Sequence, residues 1–311
     1  MKVLVTCPPM LGMKEQFLPI MESMGWEAVC PEVMQTLTVA ELIELVPHVD
    51  GWIIGDDPAT REVFEAGKAG RLKAAVKWGI GVDNVDFEAC RDLGIPITNT
   101  PNMFGAEVAD VALGYVIALA RETFYIDREV RKGKWPKPRG ISLSGKTVGV
   151  VGYGDIGKSF TARAIALGMQ PIIYDPGFDS IEPNCAELAT WPSSVGECDF
   201  LVFTCALNKH NFHMLNAEVL AACKQGVRVV NVARGPLINE RDLSDSLRRG
   251  WVHSAALDVF EEEPLPAGSC LRDHPLCIFG SHNSSNTQDA VTATNNRAIG
   301  ELNKFFGCSN Q

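Results

Sequence analysis

The sequence predicts an α/β protein built on parallel sheets, and three observations support this fold class. Short apolar runs that suit buried strands alternate with segments that have apolar residues at helical intervals. A glycine-rich turn joins one such run to a helix at residues 152–157. The chain has 311 residues, a length that suits two domains. We therefore expect two doubly wound domains, one of them smaller than the other.

The stretch from residue 147 to residue 175 shows the pattern strand, glycine turn, helix, strand and acid. Residues 147–151 form an apolar run, and residues 152–157 have the spacing G-x-G-x-x-G. Asp175 follows the next apolar run, at the expected end of a strand. A bare glycine triplet is a weak signal, but this context is specific for a Rossmann dinucleotide-binding domain. A purely structural glycine turn is the alternative interpretation.

Each residue of this turn has a physical role in the interpretation. Gly152 permits the tight turn, Gly154 leaves room for a pyrophosphate, and Gly157 lets the helix pack closely on the strand. The helix then points its N–H groups and the positive end of its dipole at the phosphates. The carboxylate of Asp175 accepts the ribose hydroxyls and would repel a 2′-phosphate, which predicts NAD rather than NADP.

Charge and cysteine usage exclude several function classes. The net charge is −10 and basic residues do not cluster in long runs, which argues against nucleic acid or an anionic membrane as a partner. The ten cysteines form no C-x-x-C pair, and several lie in apolar runs. This pattern predicts reduced thiols, no metal site and a cytoplasmic protein. The chain starts directly with a strand, without a signal-peptide pattern, and the apolar helix at 108–120 is interrupted by Asp110.

The predicted domains are discontinuous. Residues 1–100 and 286–311 are expected to form the substrate domain, and residues 101–285 the NAD-binding domain, with the active site in the cleft between the two domains. The first part alternates short strands and helices, with strands at 3–5, 27–30, 51–55, 74–78 and 97–98. A long helix is predicted from 105 to about 131, followed by six or so Rossmann strands, and the helix at 287–306 is expected to return to the first domain.

A second glycine turn follows the fourth predicted strand. Ligands bind at the carboxyl ends of strands in open α/β sheets, and Gly79 and Gly81 lie at such an end. Exposed N–H groups there are expected to hold an anion such as a carboxylate. The alternative is a plain turn in which Asp83 and Asn84 act as caps.

Three polar residues, Arg234, Glu263 and His282, stand just past predicted strands of the second domain. An arginine offers two parallel N–H donors to a carboxylate, and a histidine exchanges protons near neutral pH. A carboxylate next to the histidine would orient it. Each residue alone is more often structural, but together they predict hydride transfer to a 2-keto acid.

Five motifs together resemble the D-isomer-specific 2-hydroxyacid dehydrogenase family, which includes phosphoglycerate, D-lactate and glyoxylate/hydroxypyruvate enzymes. The motifs occupy residues 79–86, 152–157, 231–235, 256–264 and 281–285. The resemblance implies catalysis by Arg234, Glu263 and His282, where Glu263 is chosen because it directly precedes Pro264. The resemblance implies NAD binding by Gly152, Gly154, Asp155, Ile156, Gly157, Asp175, Val232, Ala233, Arg234 and Asp258, the last of these at the nicotinamide carboxamide. It implies substrate binding by Trp78, Gly79, Ile80, Gly81, Arg234 and His282.

The resemblance also implies a homodimer that pairs through the NAD-binding domains. Trp135, in a basic, proline-containing segment, matches a position from which one subunit reaches towards the other. The loop 55–58 departs from the phosphoglycerate enzymes, because Asp56 and Asp57 stand where those enzymes have basic residues. Two carboxylates would repel a phosphate unless Arg61, Lys77 or Arg139 compensates. Glu263, where formate dehydrogenases have a glutamine, argues against formate.

The sequence therefore predicts an NAD-dependent oxidoreductase that interconverts a small D-2-hydroxy acid and its 2-keto acid. In the direction of reduction, NADH gives a hydride to the keto carbon, Arg234 polarises the carbonyl, and His282, supported by Glu263, gives the proton. The alternative is a dinucleotide-sensing binding protein of the corepressor type, with little turnover. The identity of the 2-keto acid is left open.

Overall fold

The computed structural model describes residues 1–181 and 186–307. Two compact units are present, the first made of residues 1–103 and 286–311 and the second of residues 104–285. The α/β fold class is confirmed, because each unit contains one parallel sheet with helices between its strands. Two of the ten cysteines, Cys185 and Cys308, lie outside the described residues.

The first unit is built on a five-stranded parallel sheet of order β2-β1-β3-β4-β5. Its elements up to residue 103 are β1 (Lys2–Val5), α1 (Pro8–Leu11), α2 (Lys14–Ser23), β2 (Glu27–Val29), α3 (Val39–Leu45), β3 (Gly51–Ile54), α4 (Arg61–Ala69), β4 (Ala74–Lys77), α5 (Phe87–Leu93) and β5 (Ile97–Asn99). The sheet is doubly wound, as expected for the smaller domain, and its strand order is flavodoxin-like. The core on one face includes Trp52 and Phe64, whose side chains are fully buried.

Two helices of this unit were not predicted. Residues 8–11 form a single helical turn instead of a plain loop, because Pro8 and Pro9 are compatible with the start of a helix. Helix α5 has clear signals at both ends: Asp86 accepts the N–H of Ala89, and Gly94 closes the helix with a φ of +63°.

The second unit contains a seven-stranded parallel sheet of order β12-β11-β10-β9-β6-β7-β8. Its elements are α6 (Gly105–Arg121), α7 (Thr123–Arg131), β6 (Thr147–Val151), α8 (Asp155–Ala166), β7 (Gln170–Tyr174), β8 (Glu187–Leu188), β9 (Phe200–Phe203), α9 (Ala217–Ala222), β10 (Val227–Asn231), α10 (Glu240–Arg248), β11 (Val252–Leu257) and β12 (Ile278–Phe279). The strand order reverses between β6 and β9, which is the Rossmann arrangement and places a ligand crevice at the carboxyl ends of these strands.

The single long helix predicted at 105–131 is wrong, because the structure divides it at Glu122. This residue has a φ of +55°, a left-handed conformation that ends α6 before α7 begins at Thr123. The periodic apolar pattern continues through both helices, so periodicity alone does not reveal the break.

The last helix, α11 (Gln288–Phe305), belongs to the first unit. The indole N–H of Trp78 donates to Asn295 Oδ1 at 2.8 Å, and Phe306 packs edge-on against Trp26 at 5.3 Å. The chain therefore passes between the two units twice. Within the described ranges, none of the helices has the length and apolar character needed to cross a membrane.

Candidate active site

The glycine turn after β6 lies where the strand order of the larger sheet reverses. Gly152 has a φ of +97°, and a Cβ there would lie 2.6 Å from the Cα of Cys205. A Cβ at Gly157 would lie 2.1 Å from the carbonyl oxygen of Gly152. These two glycines therefore let β6, the end of β9 and the start of α8 approach one another closely.

Gly154 differs from its two neighbours in the motif, because it has open space beside it. A Cβ at this position would meet none of the described atoms within 4 Å. Gly154 is the N-cap of α8, and no side chain of the described residues caps this end of the helix. The N–H groups and dipole of α8 therefore point to a position that a pyrophosphate can approach, so the turn fits the phosphates of a dinucleotide. Asp155 and Ile156, also expected at the pyrophosphate, begin this helix.

Asp175 is fixed beside the same turn. Its Oδ2 accepts the N–H of Tyr153 at 2.7 Å, and its Oδ1 accepts the N–H of Gly177 at 2.8 Å. Each carboxylate oxygen has a second lone pair, so both remain able to accept a hydroxyl. The backbone contacts therefore orient the carboxylate while leaving it the acceptor capacity that ribose binding needs.

The turn that carries Arg234 is organised by Asn231, the last residue of β10. Asn231 Oδ1 accepts the N–H of Ala233 at 3.0 Å, and its Nδ2 donates to the carbonyl oxygen of Arg234 at 2.8 Å. Asn231, Val232 and Ala233 are buried, while Arg234 is half-buried and donates from Nη1 to the carbonyl oxygen of Ala233 at 2.8 Å. The side chain of Asn231 therefore takes the place of backbone hydrogen bonds at the end of β10. It fixes the position of Arg234, where the chain turns away from the strand.

Gly235 brings this turn against the segment that leads to Glu263. A Cβ at Gly235 would lie 1.9 Å from the carbonyl carbon and oxygen of Phe260 and 2.4 Å from the N of Glu261. These are backbone atoms, which cannot move aside as the end of a flexible side chain can. The absence of a side chain at 235 therefore keeps the arginine turn and the glutamate loop in direct contact.

Glu263 and His282, two of the predicted catalytic residues, are in direct contact. His282 Nδ1 lies 2.8 Å from Glu263 Oε2, and the side chains are 22% and 20% exposed. Glu263 Oε1 accepts the N–H of Phe260 at 2.9 Å. Because a carboxylate only accepts, Nδ1 of the histidine carries the proton in this pair.

His282 stands in a tight turn that Asp258 holds. The backbone N–H of His282 donates to the carbonyl oxygen of Asp258 at 2.7 Å, and His282 has a φ of +56°. The buried carboxylate of Asp258 accepts the N–H of Ser284 at 2.9 Å, its hydroxyl at 2.6 Å and the N–H of Asn283 at 3.3 Å. Asp258 therefore positions the histidine turn, a role that the sequence did not indicate. Contact with a nicotinamide carboxamide stays a prediction.

In the first unit, Trp78 and Gly79, two of the residues expected to bind substrate, form hydrogen bonds within the protein. The indole of Trp78 is buried and donates to Asn295, since a buried indole N–H needs an acceptor. The N–H of Gly79 donates to Thr100 Oγ1 at 2.7 Å, so the expectation that it is exposed is wrong. The predicted anion site therefore depends on the N–H groups of Ile80 and Gly81.

The expectation that two carboxylates project from the loop 55–58 is also corrected. Asp57 is fully buried and accepts hydrogen bonds from Leu37 N and Gly55 N, at 2.9 and 3.1 Å, and from the hydroxyl of Thr6. Burial raises the pKa of its carboxyl, although these hydrogen bonds act in the opposite direction. Only Asp56 remains near the surface, where it is paired with Lys77 at 3.0 Å.

Two of the three basic residues that could compensate, Lys77 and Arg61, already have partners. Buried Lys77 donates to the carbonyl oxygen of Gly55 at 2.6 Å as well as to Asp56. Arg61 pairs with Asp92 at 2.7 Å. The loop therefore presents no unneutralised cation from these two residues to a phosphate.

The site contains functional neighbours that the sequence reasoning missed. Asn231 and Gly235 both lie inside the motif at 231–235. Asn231 acts within it, through Arg234, whereas the role of Gly235 depends on Phe260, which is distant in sequence. His213, which lies in none of the five motifs, is 3.1 Å from Glu261. Among residues 1–181 and 186–307, no group of three or more metal-ligating side chains is suited to hold a metal ion.

Comparison with known proteins adds an independent line of support. Residues 113–284 match the family model described as the NAD-binding domain of D-isomer-specific 2-hydroxyacid dehydrogenases. A D-3-phosphoglycerate dehydrogenase from Methanocaldococcus jannaschii is 34% identical over 98% of this chain and 57% of its own length. The chain thus spans little more than half of that relative.

Two further proteins are similar to this chain over most of its length and most of their own. A hydroxypyruvate reductase from Thermotoga maritima is 37% identical over 72% of this chain and 73% of its own length. A crystal structure of a protein from Thermus thermophilus superposes with a TM-score of 0.87 at 30% identity and covers 99% of this chain and 97% of that one.

Proposed function

The chain belongs to the D-isomer-specific 2-hydroxyacid dehydrogenase family and carries its NAD-binding domain; from this we propose that it interconverts a small D-2-hydroxy acid and its 2-keto acid with NAD. The observation that carries the proposal is the hydrogen bond of 2.8 Å between His282 Nδ1 and Glu263 Oε2. This bond fixes the orientation of the imidazole, and we assign proton exchange with the substrate to the other ring nitrogen, Nε2.

The proton transfer follows from this pair. In the direction of reduction, His282 holds a proton on Nε2 and gives it to the carbonyl oxygen of the substrate. The carboxylate of Glu263 stabilises the imidazolium and keeps the ring in one orientation, while its bond to Phe260 N holds the carboxylate itself. In the direction of oxidation, the same nitrogen takes the proton from the hydroxyl.

Arg234 supplies the positive charge of the proposed site. Its guanidinium has N–H donors in a planar fork, which suits both the carboxylate and the carbonyl oxygen of a 2-keto acid. The Asn231 contacts and the packing of Gly235 determine where its backbone stands. We therefore assign Arg234 to substrate orientation and carbonyl polarisation.

The cofactor's place follows from the glycine turn and Asp175. When bound, NADH supplies the hydride that reduces the keto carbon. The N-terminus of α8 and Gly154 would hold the pyrophosphate, Asp175 the adenine ribose, and the turn 232–234 would border the dinucleotide. The carboxylate at 175 favours NAD over NADP.

We expect an unphosphorylated substrate. Lys77 is already paired with Asp56 and donates to the carbonyl oxygen of Gly55, and Arg61 is paired with Asp92. To bind at the loop 55–58, a phosphate would therefore have to compete with Asp56 for Lys77 or with Asp92 for Arg61. The anion-binding role of Ile80 and Gly81 belongs to the same proposal, with the substrate carboxylate as the ligand.

We also propose a cytoplasmic homodimer that pairs through the NAD-binding unit. Trp135 is 78% exposed, and Phe124 and Val130 on the preceding helix are 48% and 40% exposed. An apolar surface of this kind suits a subunit interface. The eight cysteines of the described ranges are free thiols, which suits a reducing compartment. Trp135→Ala should shift the sedimentation coefficient towards that of the monomer.

A panel of 2-keto acids tests the proposed activity. The purified protein is mixed with NADH or NADPH and each acid, with phosphorylated and unphosphorylated members compared, and loss of nicotinamide absorbance is followed. We expect oxidation of NADH with at least one unphosphorylated acid and slower oxidation of NADPH. Quenching of nicotinamide fluorescence without turnover on any acid would instead favour the dinucleotide-sensing alternative.

A further inference from the structure

A second histidine–glutamate pair lies on the loop that carries Glu263. His213 Nε2 is 3.1 Å from Glu261 Oε2, and His213 Nδ1 is 3.4 Å from Asn239 Nδ2. Asn239 Oδ1 accepts the N–H of Asp242 at 3.1 Å, so the amide nitrogen of Asn239 is the atom that faces the histidine. These contacts select one tautomer, in which Nδ1 accepts from Asn239 and Nε2–H donates to Glu261.

Glu261 is also tied to the start of α10. Its Oε1 accepts the N–H of Glu240 at 2.7 Å, and its own N–H donates to Glu240 Oε1 at 2.7 Å. Each glutamate thus accepts the backbone N–H of the other. Together with the bond from His213, this pair holds the loop at the residue two positions before Glu263.

The same contacts reach the arginine turn. The backbone N–H of His213 donates to the carbonyl oxygen of Pro236 at 2.8 Å, next to Gly235, whose position against Phe260 allows no side chain. Phe260 N in turn donates to Glu263 Oε1 at 2.9 Å. His213 therefore contacts both segments that carry predicted catalytic residues, the one after β10 and the one after β11.

We propose that His213 is a positioning residue that acts through Glu261: it fixes the loop 260–263, and thereby the orientation of the Glu263–His282 pair. The inference rests on the proposed function, since it matters for turnover only if His282 exchanges the proton. The side chains of His213 and Glu261 are 26% and 33% exposed, and even a charged pair at such a partly exposed site adds little to folding stability. Its effect should therefore be found in catalysis rather than in the unfolding temperature.

Kinetics of four single variants test the proposal. His213→Ala removes the donor to Glu261, whereas His213→Gln retains an N–H₂ group that reaches a similar position. In Glu261→Gln an N–H₂ donor replaces one of the two carboxylate oxygens, which contact His213 and Glu240 N. Glu262→Gln, on the neighbouring exposed residue, removes the same charge and is the control. Misplacement of a catalytic group by a fraction of an ångström has a large effect on rate, so we expect His213→Ala and Glu261→Gln to lower kcat by about tenfold. We expect KM for NADH and the unfolding temperature to stay close to wild type.

The matched variants distinguish positioning from general damage. His213→Gln should recover most of kcat, Glu262→Gln should behave as wild type, and the double variant His213→Ala/Glu261→Gln should be no slower than the worse single variant. Wild-type kcat in His213→Ala would overturn the proposal. Equal losses in His213→Ala and His213→Gln would also overturn it.

A measurement without turnover separates this inference from the proposed function. In protein labelled with ¹⁵N histidine, the ring nitrogens of His282 report its hydrogen bond to Glu263. We expect His213→Ala to shift these resonances, and Glu262→Gln to leave them in place. If the wild-type protein reduces no 2-keto acid, the proposed function fails, while the spectra still decide whether His213 positions His282. Unchanged His282 resonances in His213→Ala would overturn the positioning role.

Discussion

Glu263 bonds His282 through one carboxylate oxygen and the backbone of its own turn through the other. Oε2 lies 2.8 Å from His282 Nδ1, and Oε1 accepts the N–H of Phe260 at 2.9 Å. A freely rotating carboxylate would orient an imidazole poorly, but this one is fixed at both oxygens. The geometry therefore supports a histidine held in one tautomer and one orientation, as proton exchange with a small keto acid requires.

Gly235→Ala should disrupt the contact between the arginine turn and the glutamate loop. The added Cβ would lie 1.9 Å from backbone atoms of Phe260. We expect a loss of about 1–3 kcal/mol in the free energy of unfolding, by analogy with overpacked cores, and a fall in kcat. Gly268→Ala is the matched control, because a Cβ there meets none of the described atoms within 4 Å. Chemical denaturation of both variants measures the difference, and equal stabilities would contradict the packing argument.

Ser284→Ala should loosen the histidine turn without touching the proposed catalytic groups. The hydroxyl donates to the buried carboxylate of Asp258 at 2.6 Å. A hydrogen bond to a charged group contributes about 1.5–3 kcal/mol, so we expect a stability loss of that order together with a lower kcat. Ser285→Ala serves as the neighbouring control. A Ser284→Ala enzyme with the stability and kcat of wild type would show that Asp258 does not hold the turn through this serine.

Asp175→Ala should relax the preference for NADH. The carboxylate is oriented by Tyr153 N and Gly177 N, at 2.7 and 2.8 Å, at the end of β7. Removing its charge removes the repulsion of a 2′-phosphate, and a change of roughly 1.4 kcal/mol would raise the ratio of kcat/KM for NADPH over NADH about tenfold. Steady-state assays with both cofactors give this ratio. A ratio that stays at the wild-type value would argue against contact between Asp175 and the ribose.

Asp50 should make the first unit sensitive to acid. Burial by itself would raise the pKa of this carboxyl, but hydrogen bonds from Lys2 N and from the side chains of Lys73 and Arg71, with the charge of Lys73, lower it from 3.8 to about 2. A depressed folded-state pKa stabilises the fold above the unfolded value, and this stability is lost as the pH falls from about 4 to about 2. The stability lost on acidification, measured by unfolding at a series of pH values, should be smaller in Asp50→Asn than in Asp92→Asn. The second variant changes the exposed ion pair between Arg61 and Asp92. Identical acid profiles would contradict this assignment.

The parts of the fold that depend on local pattern could be predicted from the sequence. Apolar runs located the main strands, and the 147–175 stretch identified the Rossmann unit, because spacing and turn chemistry are local properties. The break at Glu122 could not be predicted, since a non-glycine residue with a φ of +55° has no sequence signal of its own. The short strand β8 was missed because two residues are too few to show a period.

The site, too, could be predicted where it depends on motifs and not where it depends on contacts between residues distant in sequence. Glu263 and His282 were selected as a pair, and the structure places them in hydrogen-bond contact although 19 residues separate them. The burial of Asp57 and the internal bond of Gly79 N depend on Thr6 and Thr100, which are distant in sequence. The contact of His213 could not be predicted either, because its partner Glu261 lies 48 residues later. Partners fixed by tertiary packing have no local pattern, so these roles required the structure.

The most direct test of the proposed chemistry is the turnover of His282→Ala with NADH and the best 2-keto acid found for the wild-type protein. Nicotinamide fluorescence is measured in parallel as a control for cofactor binding. Loss of a general acid–base group lowers turnover by about 10²–10⁴-fold, and we expect a fall of this size in kcat with NADH binding unchanged. A variant that binds NADH and keeps wild-type kcat would contradict the assignment of His282 as the proton donor.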